Sequence, residues 1–156
     1  MNLDRRGLLR GEPVGTYLAG GPELCDWADG RRLLHRLEYT HDVGRLSTGR
    51  ALIAVNTAIE IDVQGQVNVE GMPGANLGGI GGHPDYAIAA ARSIGGVSVI
   101  ALPASHRDRP TLVDHLSAPV STPSHDVDVV ITEHGTADLR GLDRRERCAA
   151  IARLWP

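Results

Sequence analysis

The sequence predicts an α/β protein in which a mixed sheet carries flanking helices and one β-hairpin. Three observations lead there. Leu52–Val55, Val97–Leu102 and Asp126–Thr132 are short runs rich in Val and Ile, of strand length. Helix-forming segments follow Asp85 and Asp143, so strands and helices alternate along the chain. Ile59, Ile61 and Val63 alternate with Glu60 and Asp62, and Val67 and Val69 resume the pattern after Gln64-Gly65-Gln66. That is the spacing of a hairpin.

Taken in order, Val14–Ala19 reads as a short strand, broken by Gly20-Gly21. Pro22 is placed to open a helix, with Leu24, Trp27 and Ala28 on one face. The segment from 31 to 39 reads neither way. Leu52–Val55 is expected as a buried strand and 59–69 as the hairpin. Gly78-Gly79-Ile80-Gly81-Gly82 is a bare loop, and a helix is expected from Asp85 to Ser93, ended by Gly95-Gly96. The strand 97–102 stops at Pro103. The proline-rich stretch from 104 to 124 is expected to be a long loop, and loops of that length are often functional. Asp126–Thr132 is the last strand, with Glu133-His134-Gly135 at its exit. Asp143 and Glu146 have capping-box spacing for a final helix that buries Ala149, Ala150, Ile151 and Leu154.

Composition narrows the function. The chain has 156 residues, 42% hydrophobic and 22% charged, which is ordinary for one globular domain with a core from about 14 to 154. Aromatic residues make up 3%, so Val, Ile, Leu and Ala must build that core. Net charge is −3 and every basic residue other than His is Arg; the short Arg pairs read as solvated helix faces, and no nucleic-acid partner is expected. Cys25 and Cys148 have neither metal nor redox spacing, which points to a reduced, cytoplasmic setting. No apolar run is long enough to cross a membrane, and no membrane partner is expected.

Few residues are placed to do chemistry. The glycine loop, running straight into a helix, offers backbone N–H groups to an anion or an oxyanion; a plain flexible turn is the alternative. The dinucleotide fingerprint fails there, because Pro84 stands where its last Gly is needed. Glu133 sits at a strand exit, where it can orient a substrate, act as acid or base, or simply face solvent. Asn56 either ties a strand crossing or lines a site. His125, Asp126 and Asp128 do not converge on one face of a strand, and no metal is expected.

Taken together, the motifs resemble one family. They are Asn56-Thr57-Ala58-Ile59-Glu60-Ile61-Asp62, Gly65-Gln66-Val67-Asn68, Gly79-Ile80-Gly81-Gly82 with Asp85-Tyr86, Ile100-Ala101-Leu102-Pro103, and Thr132-Glu133 with Gly135 and Ala137-Asp138-Leu139-Arg140-Gly141. In this order they resemble the C-terminal domain of the acetyl-CoA hydrolase/transferase family, which includes 4-hydroxybutyrate CoA-transferases. The resemblance is strong from about Leu52 to Ile151.

The resemblance implies a CoA-transferase (NagB/RpiA-like) fold in which two related α/β domains enclose the site. It implies that a Glu carboxylate attacks an acyl-CoA and passes through an anhydride to a glutamyl-CoA thioester. A second carboxylate, or water in hydrolases, then resolves that thioester. It makes Gly82, then Gly81, the N–H donor to the thioester oxyanion and places Glu133 near the site. Gly79, Ile80, Asp85, Arg107 and Asn56 are carried over as contacts to coenzyme A. Acyl-CoA and small carboxylates are the implied substrates, and a homo-oligomer the implied assembly. The family's nucleophilic Glu lies upstream of the segment that Asn2–Leu9 resembles. The expectation is one domain, residues 1–156, without the N-terminal domain and inactive alone. A non-catalytic CoA-binding or interaction module is the alternative.

Overall fold

The computed structural model describes residues 2–72 and 74–155. They fall into two compact units, one ending at Asp42 and one starting at Val43.

The first unit has little regular structure. It holds α1 (Asn2–Arg5), α2 (Pro22–Ala28) and α3 (Leu37–Thr40). Pro22 opens α2 as expected, where its missing N–H costs nothing. The Asp4 carboxylate accepts from Trp27 Nε1 at 2.9 Å and from Arg31 at 2.8 Å, and the Arg31 guanidinium lies 4.2 Å from the Trp27 ring centre. The strand expected over 14–19 is absent. Only Gly15 makes a bridge, to Leu34, and Tyr17 and Leu18 are exposed. With one partner residue and no face to bury, an apolar run of this kind does not become a strand.

The second unit runs α4 (Val43–Ser47), β1 (Ile53–Asn56), β2 (Glu60–Asp62), β3 (Val67–Asn68), β4 (Gly71–Met72) and β5 (Ala75–Asn76). It continues with α5 (His83–Arg92), β6 (Val97–Ala101), β7 (Ser105–His106), β8 (Arg109–Pro110) and β9 (Leu112–Val113). A 3-10 turn (Ser124–Asp126), β10 (Val129–Thr132), β11 (Gly135–Asp138) and α6 (Arg144–Ala152) complete it. The principal sheet has the order β1-β6-β10-β11; β1, β6 and β10 are parallel, and β11 is antiparallel to β10. A second mixed sheet, β3-β2-β9, holds the predicted hairpin.

Helix α5 packs on β1 and β6 through Ala87, Ala89 and Ala90, small residues that allow close approach. It stops where the chain must turn under it: a Cβ on Gly96 would lie 2.3 Å from the Ala90 carbonyl oxygen, so only glycine fits. Helix α6 starts with the predicted capping box, in which Asp143 accepts from Glu146 N and Glu146 accepts from Asp143 N, both at 2.8 Å. The core lies between the two sheets and α6: Ile61, Val67, Ile100, Leu102, Val127, Val130, Ala137, Leu139, Ile151 and Leu154. As composition required, it is aliphatic.

Three expectations change here. First, β1 is an edge strand, and Ile53 and Val55 are 57% and 65% exposed, while only Ala54 between them is buried. Second, Glu60 and Asp62 alternate with apolar residues but are both buried. One oxygen of Glu60 accepts from Asn68 Nδ2, Ser117 N and Ser117 Oγ at 2.6–2.8 Å. Asp62 Oδ1 accepts from Gln64 N and Gln66 N, both at 2.9 Å, and so builds its own turn. Third, the stretch 104–124 is not a plain loop: it contains β7, β8 and β9, with β9 pairing back onto β2.

Candidate active site

Parallel strands β1, β6 and β10 end on the same edge of the sheet, and α5 begins there because it runs back between β1 and β6. This edge is where open α/β sheets bind ligands. Asn56 is the last residue of β1, the 102–104 segment leaves β6, and Glu133 leaves β10.

The glycine loop is held at both ends. At its start, the Glu70 carbonyl accepts from Leu77 N at 2.9 Å and Gly78 N at 3.1 Å. That carbonyl belongs to a turn built by Asn68, which is fully buried and uses all of its side-chain bonding capacity. Its Nδ2 donates to Glu60 and to the Gly71 carbonyl, and its Oδ1 accepts from Glu70 N and Gly71 N. At the other end, His83 is buried as the first residue of α5. Its Nε2 lies 3.1 Å from the Thr57 carbonyl and its Nδ1 2.6 Å from Thr122 Oγ1.

Between these anchors, Gly78, Gly79, Ile80 and Gly81 are exposed and Gly82 is half-buried. Gly81 has φ +57°, in the left-handed region, and Gly82 has φ −88° and ψ 9°, in the bridge region beside the right-handed one. Successive residues of opposite hand point neighbouring N–H groups into one concavity, a nest for an anion. The α5 N-terminus adds its partial positive charge, which Asp85 in the first turn partly offsets. Tyr86 is half-buried, and burial pushes its hydroxyl above the usual tyrosine range.

Glu133 is placed by a different contact. Its Oε2 accepts from Ala104 N at 2.8 Å, and that bond holds its carboxyl below the usual range. Its Oε1 lies 3.7 Å from His134 Nε2. Ala104 is itself fixed, because its carbonyl accepts from Trp155 Nε1 at 2.7 Å and from Thr111 N at 3.1 Å. Arg107 is exposed at the tip of the β7–β8 hairpin, with φ +49°, followed by Asp108 with φ +61°. Both central residues of this tight turn are left-handed, the geometry that matches strand twist and usually selects Asn or Gly. Asn56 does not use its amide to tie a strand crossing: its Nδ2 is buried without a hydrogen-bond partner.

The predicted residues thus do not form a single group. Asn56, Gly79, Ile80, Gly81, Gly82 and Asp85 gather at the β1 exit. Glu133 lies at the β10 exit against Ala104 at the β6 exit, and Arg107 stands apart from them at the tip of the β7–β8 hairpin. With strands about 4.8 Å apart and β6 alone between them, β1 and β10 are separated by two spacings, about 10 Å. Sequence reasoning missed His83, Thr57, Thr122, Asn68 and Trp155. A histidine next to a glycine loop was a visible signal, but its partners lie 26 and 39 residues away in the chain. Among the described residues no group of three His, Cys, Asp or Glu side chains comes together to hold a metal ion. Asp128 accepts from Ser98 N instead. No helix among them is long and apolar enough to cross a membrane.

Comparison with known proteins bears on this edge. Residues 20–154 match the acetyl-CoA hydrolase/transferase C-terminal domain. The chain is 28% identical to 4-hydroxybutyrate coenzyme A transferase of Clostridium kluyveri over 160 residues, covering 99% of this chain and 37% of that protein. It is 32% identical to acetyl-CoA hydrolase of Kluyveromyces lactis over 144 residues, covering 85% of this chain and 26% of that protein. The crystal structure of RipA from Yersinia pestis superposes with a TM-score of 0.86 at 28% identity, over 98% of this chain and 38% of that one. The chain therefore spans between about a quarter and little more than a third of the length of these relatives. A match that runs through both strand exits and the glycine loop, in one fold, settles the family: the chain belongs to the acetyl-CoA hydrolase/transferase family, as its C-terminal domain.

Proposed function

We propose that this chain is the C-terminal part of an acyl-CoA hydrolase or CoA-transferase and provides the oxyanion side of its active site. The observation that carries this reading is the Gly78–Gly82 loop, exposed through Gly81 and pinned at both ends on the strand-exit edge. The Gly82 N–H, backed by Gly81, would receive the thioester oxygen as negative charge develops on it. A single donor of this kind is worth about 3 kcal/mol of barrier. Arg107 would meet the phosphates of coenzyme A, Asn56 Nδ2 would find its missing acceptor on the substrate, and Glu133 would orient the substrate by accepting from one of its donor groups.

The nucleophile is a glutamate outside this chain. Its carboxylate attacks the thioester carbonyl and the CoA thiolate leaves, giving an acyl-glutamyl anhydride. The thiolate then attacks the glutamyl carbonyl, releasing the acid and leaving a glutamyl-CoA thioester. An acceptor carboxylate, or water, resolves it. The glutamates present suit this reading. Glu60 is buried under three donors, Glu146 caps α6, and Glu133 is held by Ala104. A reducing, cytoplasmic setting suits the two free cysteines.

The test uses acetyl-CoA and the 156-residue chain. Binding should shift the backbone amide resonances of Gly79–Gly82, and no borohydride-cleavable glutamyl thioester should form until a relative's N-terminal half is added. A glutamyl thioester on the chain alone would refute the external nucleophile. Unmoved glycine amides at saturating acetyl-CoA would refute the oxyanion role.

A further inference from the structure

The imidazole of His83 is positioned by two groups of fixed or nearly fixed polarity. The Thr57 carbonyl can only accept, so Nε2 must carry a proton. In the neutral ring, Nδ1 is then a lone pair, and it accepts the Thr122 hydroxyl proton at 2.6 Å. Thr122 is fully buried, and its backbone N donates to the Val67 carbonyl in the second sheet. One ring therefore joins three pieces of chain: the exit of β1, the start of α5 with the glycine loop, and the segment that pairs with β3.

We propose that His83 is the positioning residue of the glycine loop and that this lock is strongest in the neutral, Nε2–H form of the ring. A second proton would sit on Nδ1 and reverse the bond, with Thr122 Oγ1 accepting from it. The hydroxyl would then turn its own hydrogen away from the ring, which among the described residues is its one side-chain partner. Against its desolvation, the cation would be favoured only by the bond to the Thr57 carbonyl, with no nearby carboxylate among the described residues paired to it. Its own helix carries Asp85, Tyr86 and Arg92; α4 contributes Arg45; the 3-10 turn contributes His125 and Asp126; β1 and β6 contribute no charged group. Among the described residues His83 makes no ion pair. Burial lowers the affinity of the ring for a proton below the ordinary histidine value.

The consequence runs in one direction. Above the histidine range the ring is neutral in folded and unfolded chain alike, and the lock is closed. As pH falls, the unfolded chain takes up the proton first, so stability drops and the loop loosens. The lock itself is independent of what the loop binds. Only its effect on acyl-CoA rests on the proposed oxyanion role.

Long-range imidazole NMR on the nitrogen-labelled full chain tests this. The neutral ring should be found as the Nε2–H tautomer, with a midpoint below that of a histidine in a model peptide. The amide shifts of Gly81 and Gly82 should titrate with that midpoint. His83→Gln can donate to the Thr57 carbonyl and accept from Thr122, so it should keep the neutral-pH positions of those amides and abolish their titration. His83→Ala should displace them at every pH. An Nδ1–H tautomer, or glycine amides that do not follow the ring, overturns the proposal. Both are read on the unaltered chain and stand even if a variant fails to fold. Glycine titration that persists in His83→Gln also overturns it. Acetyl-CoA binding is measured separately: a working lock without binding refutes the oxyanion role alone.

Discussion

Asn68→Ala removes more from this structure than its size suggests. The side chain is fully buried and makes four hydrogen bonds. Three join neutral backbone groups of Glu70 and Gly71, and each contributes about 1 kcal/mol net. The fourth is donated to the buried Glu60 carboxylate, where a bond to charge contributes about 2 kcal/mol. The expected loss is thus about 5 kcal/mol, with Glu60 left on the two donors of Ser117. Against a typical total of about 5–15 kcal/mol, that is a large part of the stability of the domain. Urea unfolding followed by far-UV circular dichroism reads it as a shift in midpoint at constant slope. Asn68→Asp sharpens the test. It keeps the two acceptor bonds but sets a second carboxylate against Glu60, so at neutral pH it should cost more than Ala and recover as pH falls through the carboxylate range. A loss under about 1 kcal/mol for Asn68→Ala, or an Asp variant indifferent to pH, would refute the reading of Asn68 as a saturated hub.

Two other expectations follow from exposed features. Arg140 grips Asp138 with Nε to Oδ1 at 2.9 Å and NH2 to Oδ2 at 2.6 Å, and this lowers the carboxyl to about 2. Because the folded value lies below the unfolded one, the contribution is present above 3.8 and is lost as pH falls from 3.8 to about 2. The pair is half exposed, so its effect on stability is small; Arg140→Gln should instead be read by carbon NMR as a rise of the Asp138 midpoint toward 3.8. Ile53 and Val55 on the edge strand β1 should make the chain self-associate with concentration in sedimentation velocity, and Val55→Glu should suppress this. Equal sedimentation of both proteins across concentrations would show that this face is not the cause.

What could be read from the sequence was local in its cause. The capping box at Asp143 and Glu146, the proline-opened α2 and the hairpin around Gly65 each depend on residues a few positions apart, and each is found. The strand cores 97–101 and 129–132 were legible because parallel central strands are apolar throughout; 53–55 was legible as a strand but not as the sheet's edge. Distant partners were not legible. Val14–Ala19 has strand composition but lacks a neighbour to pair with, and β9 exists only because β2 lies beside it. The burial of Glu60 required Ser117, 57 residues away. At the site, the glycine loop announced itself by composition. Its two anchors did not, because the Glu70 carbonyl is a backbone group and His83 depends on Thr57 and Thr122.

The two anchors also bear on how cheaply the loop can be ordered. A glycine-rich segment samples more conformations than any other, and fixing one residue costs about 1–2 kcal/mol. Here Glu70 holds Leu77 and Gly78, and His83 holds the far end, so the free stretch shrinks to Gly79 through Gly82. Most of the ordering is then done when the domain folds, not when a ligand arrives. The same arrangement leaves the loop unequally tolerant of change: Gly78 and Gly79 have open space where a Cβ would go, whereas any side chain at Gly81, with φ +57°, would be strained.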